Sequence, residues 1–344
     1  MKKLLKILCI SIVTLTFLVS CGSKNEKNVD SASSDNNFDK LNLKCSVATG
    51  ETGVDYLTAK KFADLVDEAS GGQIKIKVFA SSQLTGGDMS KTIDSLLSGG
   101  VYEICTASGA VLSSVEEKFL AHQLPFIFNS YQEADKYLDG TGGEYYKELA
   151  SENGMTLVGL FHNGLKQVTN SKKEIKTPDD FKGMKIRIPS GEVAMKTFQK
   201  FGADPIAMGW SEVYTALQQG TVDGHDNGYM TIDSASIQEI NKYITELNWQ
   251  YECYTLLINS NEFNKWNPET QKLITEKAKE ASSWGRELLE EKEIEIKDKF
   301  LKEGVIITEL TDDQKKAFYD DTQDIRDYFV QKYGKEVCSK WGVN

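Results

Sequence analysis

The chain is predicted to be an α/β protein of two lobes hinged as a clamshell, and three features of its pattern say so. Strand and helix signals alternate along two successive stretches, 41–108 and 155–220, as layered α/β units require. The apolar run "YITELNWQYECYTLLINS" (243–260) is too long for one ordinary strand and reads as a strand shared by two sheets. Helical signal then continues nearly unbroken over 268–304. A helix of about 35 residues spans roughly 50 Å, wider than one lobe, so it lies across both. Lobes joined in this way hold a ligand between them and close on it.

Taken in order, "LNLKCSVATG" (41–50) is a strand ending in glycine, and "DYLTAKKFADLVDEASGG" (55–72) is an amphipathic helix stopped by Gly71 and Gly72. "QIKIKVFAS" (73–81) alternates as a strand, "DMSKTIDSLLSGG" (88–100) is a second helix, and "YEICTAS" (102–108) a third strand. This βαβαβ run predicts a mostly parallel sheet. A helical region over 131–153 separates it from a second, smaller unit. There "MTLVGLFHNG" (155–164), "LKQVTNS" (165–171), "MKIRIP" (184–189) and "ADPIAM" (203–208) are strands. "GEVAMKTFQKFG" (191–202) and "WSEVYTALQQG" (210–220) are helices, and "GTVDGHDNGY" (220–229) is a glycine-bounded turn. The lobes so drawn are 41–164 with 253–290, and 165–252 with 291–344.

Residues 1–20 carry three lysines and then an apolar run from Ile7 to Val19, the pattern of a secretory signal peptide; an uncleaved anchor helix is the other reading. The run ends in Leu18-Val19-Ser20-Cys21 and resembles a bacterial lipobox, which makes Cys21 the lipidated first residue of an exported protein. Residues 21–40 are polar without apolar period and read as a flexible tether to the membrane's outer face. Loss of Lys2, Lys3 and Lys6 with the leader moves the formal net charge from −11 to −14. So acidic a body argues against nucleic acid, although a local cationic pocket can still take an anion. Cys45, Cys105, Cys253 and Cys338 are widely spaced, which fits buried thiols and leaves a disulfide open.

No nucleophile elbow, Walker loop or dinucleotide fingerprint occurs, and His122, His162 and His225 have no helical histidine partner. No metal, cofactor or catalysis is therefore expected. The chemistry concentrates in 165–227. Arg187 stands at the C-terminal end of a predicted buried strand, where open α/β sheets place ligands. A guanidinium keeps its proton and needs an anion, either a ligand carboxylate or one of the chain's 51 acidic residues. Lys166, alone, reads as a solvated lysine, Trp210 as core or ligand platform, and Asn227 as a turn residue.

Together these residues have a pattern. "GMKIRIPSGEVAMKTFQKFGADPIAMGWSEVYTALQQGTVDGHDN" (183–227) strongly resembles the DctP-type solute-binding proteins of TRAP transporters. "GGQIKIKVFASSQL", "LPFIFNSYQEADK" and "TNSKKEIKTPDDFKGMKIRIP" extend the similarity over about 42–335. The resemblance implies a periplasmic-binding-protein-like fold of the class II type. It also implies an extracytoplasmic binding protein, not an enzyme, that captures a small organic acid and delivers it to the small and large permease subunits. A C4-dicarboxylate or a sugar acid (uronate or aldonate) is the implied cargo. Arg187 matches the family arginine that forks a substrate carboxylate, Asn227 the asparagine that bonds the same group, and Trp210 an aromatic position usually filled by Phe. Two features depart from the pattern. Lys166 stands where many members have a second arginine, so a second fork is not expected, and His225-Asp226-Asn227 replaces the usual "QEN". Topology brings Tyr56, Asp88 and Ser108 to the other wall, with helix capping as the alternative role for Asp88. The competing reading is an exported enzyme acting on an organic acid, for which His225 and Asp226 are the one suggestive pair.

Overall fold

The structure, a computed structural model, describes residues 38–343; the expected leader, the lipidation site Cys21 and nearly all of the tether lie outside them. The first half runs β1 (Leu41–Ser46), α1 (Val54–Ala69), β2 (Ile74–Phe79), α2 (Thr92–Ser98), β3 (Ile104–Ser108), α3 (Gly109–Leu112), α4 (Tyr131–Leu138), α5 (Thr141–Glu152) and β4 (Met155–Leu165). It continues through β5 (Gln167–Asn170), β6 (Lys185–Ile188), α6 (Glu192–Lys200), β7 (Asp204–Ala207), α7 (Trp210–Gln218), β8 (Gly224–Asn227), α8 (Tyr229–Ser234) and β9 (Tyr243–Glu246). The remainder is β10 (Tyr251–Asn259), α9 (Ser260–Phe263), α10 (Pro268–Lys302), β11 (Ile306–Glu309), α11 (Asp312–Asp321), α12 (Gln323–Tyr333) and α13 (Lys335–Ser339).

Two mixed sheets form, ordered β2-β1-β3-β10-β4 and β11-β9-β5-β8-β6-β7, so the α/β two-lobed class read from the sequence stands. The first sheet is parallel only across β2, β1 and β3; β10 returns antiparallel between β3 and β4. The lobes are joined by two crossing strands, each broken between the sheets rather than continuous. The run 243–260 breaks into β9 and β10, with Asn248 at φ 47° between them. Beside it, β4 passes into β5 with Lys166 alone in between. Lys166 N–H donates to the Gln250 carbonyl (2.8 Å) and its own carbonyl accepts from Trp249 N–H (3.3 Å), so the two crossings are hydrogen-bonded to each other.

Helix α10 starts with the Asn267 side chain accepting from Thr270 N–H (2.8 Å) and Pro268 in the first turn, both strong start signals. It buries Ile274, Ala278 and Ala281 with α1's Phe62 and Val66 in the core beneath the first sheet, then carries Ile296 and Phe300 into the second lobe. The Phe300 ring lies 6.0 Å from Tyr229. Among the described residues no helix is long and apolar enough to cross a membrane. Cys45, Cys105, Cys253 and Cys338 are all buried free thiols.

Two sequence readings are corrected. "GTVDGHDNGY" is not a turn: its residues 224–227 form β8, a fully buried strand between β5 and β6. Residues 291–344 do not all belong to the second lobe. Phe318 packs with Phe181 and Phe201 there, but Ile325, Phe329, Cys338 and Trp341 pack in the first-lobe core. Trp341 lies 4.8 Å from the Tyr146 ring. The short apolar stripes of α12 and α13 need a surface to bury against, and the first lobe provides it.

One carboxylate joins the spanning helix to the crossing. Glu293 accepts from the Tyr131 hydroxyl (2.6 Å), whose oxygen accepts from Leu165 N–H (3.0 Å). A Cβ on Gly164 or Gly228 would lie 3.2 or 3.4 Å from Glu293 Oε1, so the carboxyl group is enclosed by glycine backbone from both lobes. Burial raises its pKa to about 7, against the opposing hydrogen bond from Tyr131. A raised carboxyl pKa means the native state holds the proton more tightly, so stability is lost as pH climbs from about 4.5 to 7. Glu293→Gln is expected to be nearly neutral at pH 5 and to stabilise by about 2–3 kcal/mol at pH 8. Urea unfolding at the two pH values checks this; an equal effect at both would refute it.

Candidate functional site

The site grows from strand ends. Ser108 closes β3, Arg187 is the penultimate residue of β6, Asn227 closes β8, and Trp210 opens α7. With Lys166 at the crossing, these five line one cavity of about 40 Å³ between the lobes. Side chains that no motif announced complete it: Asn163 at the end of β4, Thr231 on α8, and Glu252 and Tyr254 on β10. A wider cleft of about 350 Å³ shares Ala48, Met89 and Trp210 with the cavity and leads outward past Ser81, Gly87 and Tyr214.

Arg187 is 2% exposed. Its Nε and Nη2 both donate to one acceptor, the Met208 carbonyl (3.0 and 2.7 Å). Its Cζ sits 5.6 Å from the Trp210 ring, and Trp210 in turn lies 6.0 Å from His225. Among the described residues no carboxylate comes within ion-pair distance of Arg187, and Nη1 has no hydrogen-bond partner. Burial lowers its pKa to about 10, with Asp226, Tyr254 and Glu212 acting the other way, so it remains a cation at neutral pH. Burial, with Arg187 and Lys166 nearby, keeps His225 far below its ordinary value. The ring is therefore neutral, and its Nδ1 meets Thr169 Oγ1 at 2.7 Å.

Lys166 is not solvated. It is 3% exposed, and its Nζ lies 3.3 Å from Asp226 Oδ2 in a fully buried pair. Glu252 is held by donors on every side: His122 Nε2 (2.9 Å), Gln123 Nε2 (2.5 Å), Gly109 N–H (3.2 Å) and Cys253 N–H (3.1 Å). Burial would raise its pKa, but the His122 contact leads the interactions that bring it below the ordinary carboxylate value. Asn227 Oδ1 accepts from Gly228 N–H (3.1 Å), and Asn163 Oδ1 from the Thr231 hydroxyl (3.1 Å). Each amide is left with its NH₂ to donate.

Tyr56 and Asp88 do not reach the cavity. Tyr56 packs against the core of the first sheet. The Asp88 carboxylate caps a short turn, accepting from Ser90 N–H (3.0 Å) and Ser90 Oγ (2.6 Å), and pairs with Lys91 at 3.2 Å. The rim it belongs to is built of tight turns, with Ser81, Ser82, Gly86 and Gly87 all at positive φ. His225 and Asp226 form no dyad: as successive strand residues they alternate faces, one bonded to Thr169 and the other paired with Lys166.

Comparison with known proteins places this geometry. The family model of "Bacterial extracellular solute-binding protein, family 7" (DctP) matches residues 46–332. The 2,3-diketo-L-gulonate-binding periplasmic protein YiaO of Escherichia coli is 31% identical over 290 residues, 84% of this chain and 87% of that one. The C4-dicarboxylate-binding protein DctB of Bacillus subtilis is 28% identical over 342 residues, 98% and 97% of the two chains. Among solved structures, the sugar acid binding protein DctPAm of Advenella mimigardefordensis, in complex with galactonate, superposes with a TM-score of 0.84 at 26% identity. That match covers 88% of this chain and 96% of that one.

The buried Lys166–Asp226 pair makes a separate expectation. Removing one partner of a buried pair strands the other charge, at a cost of about 3–5 kcal/mol. Asp226→Ala should therefore lose that much stability. Replacing both residues at once, Lys166→Met with Asp226→Leu, should cost well under the sum of the two single changes. Chemical denaturation of the three variants measures it, and additivity would mean the charges do not interact.

Proposed function

This chain belongs to family 7 of the bacterial extracellular solute-binding proteins, the DctP family that serves TRAP transporters, and from that premise we propose that it captures a small polyhydroxylated monocarboxylate between its lobes. The observation that carries this reading is Arg187. Another buried guanidinium, Arg326, is met by four acceptors: the Pro125 and Tyr319 carbonyls, Thr322 Oγ1 and Gln323 Oε1. Arg187 has one, and lines a cavity. A ligand carboxylate provides the missing anion, and the Asn227 amide is available to the same group.

The charge inventory selects the rest of the cargo. Lys166 is neutralised by Asp226, so the cavity offers one uncompensated cation, not two. Asn163, Thr231 and Ser108 share that cavity with Glu252; the first three suit hydroxyl groups, and the Glu252 carboxylate, already saturated by its protein donors, repels a second carboxylate. A sugar acid of the aldonate or uronate kind is therefore favoured over a C4-dicarboxylate. Charge-assisted hydrogen bonds add about 1.5–3 kcal/mol, while micromolar affinity needs about 8 kcal/mol. Closure over Trp210 and Tyr254 supplies the remainder.

The closing bodies we assign to 41–164 with 253–290, and to 165–252 with 291 onward as far as the last two helices. The closed form hands its cargo to the TRAP membrane subunits. In this reading the leader exports the chain and lipid on Cys21 holds it at the outer face of the cytoplasmic membrane. Cys21→Ser should then move the protein from the membrane fraction to the soluble one, seen by fractionation and blotting.

Calorimetry with galactonate, gluconate, galacturonate and succinate tests the ligand class. One of the three sugar acids should bind at least about tenfold more tightly than succinate. Arg187→Ala should cost about ten- to a hundredfold in affinity, and Arg187→Lys a loss of the same kind because the fork is gone. Affinity should hold level from about pH 6 to 9, because the buried guanidinium keeps its proton throughout. Unchanged binding in Arg187→Ala would end the proposal.

A further inference from the structure

Two clusters in the first lobe bring histidine and acidic side chains within 4.8 Å of one another: His122, Glu252 and Cys253, and Asp135, His162 and Glu290. The first is buried and satisfied. With His122 Nε2–H donating to Glu252 (2.9 Å), its Nδ1 accepts from the Tyr146 hydroxyl, so no lone pair is left over. The second differs on that point. His162 is fully buried, yet its Nε2 has no hydrogen-bond partner. It lies 3.6 Å from Asp135 Oδ1 and 3.9 Å from Glu290 Oε1, beyond hydrogen-bond range of both. The two carboxylates remain about one-third exposed, which opens the cluster to solvent on one side.

We infer that Asp135, His162 and Glu290 form a binding site for a first-row divalent cation such as zinc. The donors are one imidazole nitrogen and carboxylate oxygens, a set suited to zinc and its neighbours rather than to calcium or magnesium, which take oxygen alone. Ligand atoms around tetrahedral zinc are about 3.3 Å apart for bonds near 2.0 Å; both carboxylates stand slightly farther than that from His162 Nε2 (3.6 and 3.9 Å) and are exposed enough to move in. His162 Nδ1 lies 2.6 Å from the Tyr251 hydroxyl. With Nδ1–H donating to that oxygen, Nε2 presents its lone pair to the carboxylates, the outer support that metal-binding histidines use.

One cation already stands nearby. Arg286 Nη1 bonds Asp135 (2.9 Å) and Asp139 (3.0 Å). Against it stand the carboxylates of Asp135, Asp139 and Glu290, an excess of negative charge around one guanidinium. A bound divalent ion relieves that excess, with Asp135 bridging metal and guanidinium. The site would tie α4, β4 and α10 together one helical turn from Glu293. No local spacing reveals it, because its three residues come from three separate elements.

The test uses the full-length chain in detergent, without an affinity tag and stripped with EDTA. Zinc titrated by calorimetry should bind with one equivalent. Cobalt should give tetrahedral d–d bands without a thiolate charge-transfer band. His162→Gln should abolish binding, Glu290→Gln on the exposed side should weaken it at least about tenfold, and Tyr251→Phe should weaken it about ten- to a hundredfold. Cys253→Ser should leave it unchanged. Absence of stoichiometric binding, a thiolate band, or parent-like affinity in Glu290→Gln overturns the site. Glu290→Gln decides the matter if His162→Gln fails to fold.

Discussion

The two strand crossings are bonded to each other at Lys166, and the rest of the molecule is arranged around that contact. Lys166 exchanges main-chain hydrogen bonds with Gln250 and Trp249, so β4–β5 and β9–β10 pass between lobes as a paired ribbon. Its register fixes where Glu252 and Tyr254 stand relative to Ser108 and Asn163. The crossing residue is also a cavity residue, so any bend at the crossing would move a charge in the cavity. Helix α10 runs alongside and is held to the ribbon through Glu293 and Tyr131.

The charges around the cavity share one arrangement, from which Arg187 departs. Lys166 has Asp226, Glu252 has His122 and two backbone donors, and His225 stays neutral between two cations. Each arrangement avoids an isolated buried charge, which is costly in a medium of low dielectric. Arg187 is pointed at a carbonyl and an aromatic face, with no acid in reach among the described residues, and that residual positive charge is the basis of the proposed ligand contact.

Much of this was legible in the sequence. Strand-end position and the resemblance of 183–227 to a known pattern located Arg187, Asn227, Trp210, Lys166 and Ser108, all of which the fold brings to one cavity. Glu252 and Tyr254 were hidden inside an apolar run, because the antiparallel return of β10 between β3 and β4 is a long-range pairing with no local mark. The β8 strand was hidden by its own polarity: Gly-His-Asp-Asn reads as a turn unless one knows it will be buried by neighbours on both sides. Lys166 looked solvated because a hinge residue has no amphipathic period to betray its burial. Tyr56 and Asp88 show the reverse error. Topology put their backbones near strand ends, but side-chain direction is not in the topology. The tail failed for a similar reason, since short stripes on α12 and α13 do not say which lobe they cover.

The contrast between the turn-built rim at 81–91 and the strand-held anchors has a bearing on how such a protein changes over generations. Arg187 and Asn227 sit in ladders whose main-chain pairing is indifferent to what the rim contains. The rim, with its left-handed serines and glycines, buries little and supports no sheet. On the proposed reading, replacing or lengthening it would alter the shape offered to the far end of a cargo molecule while leaving those ladders paired as they are.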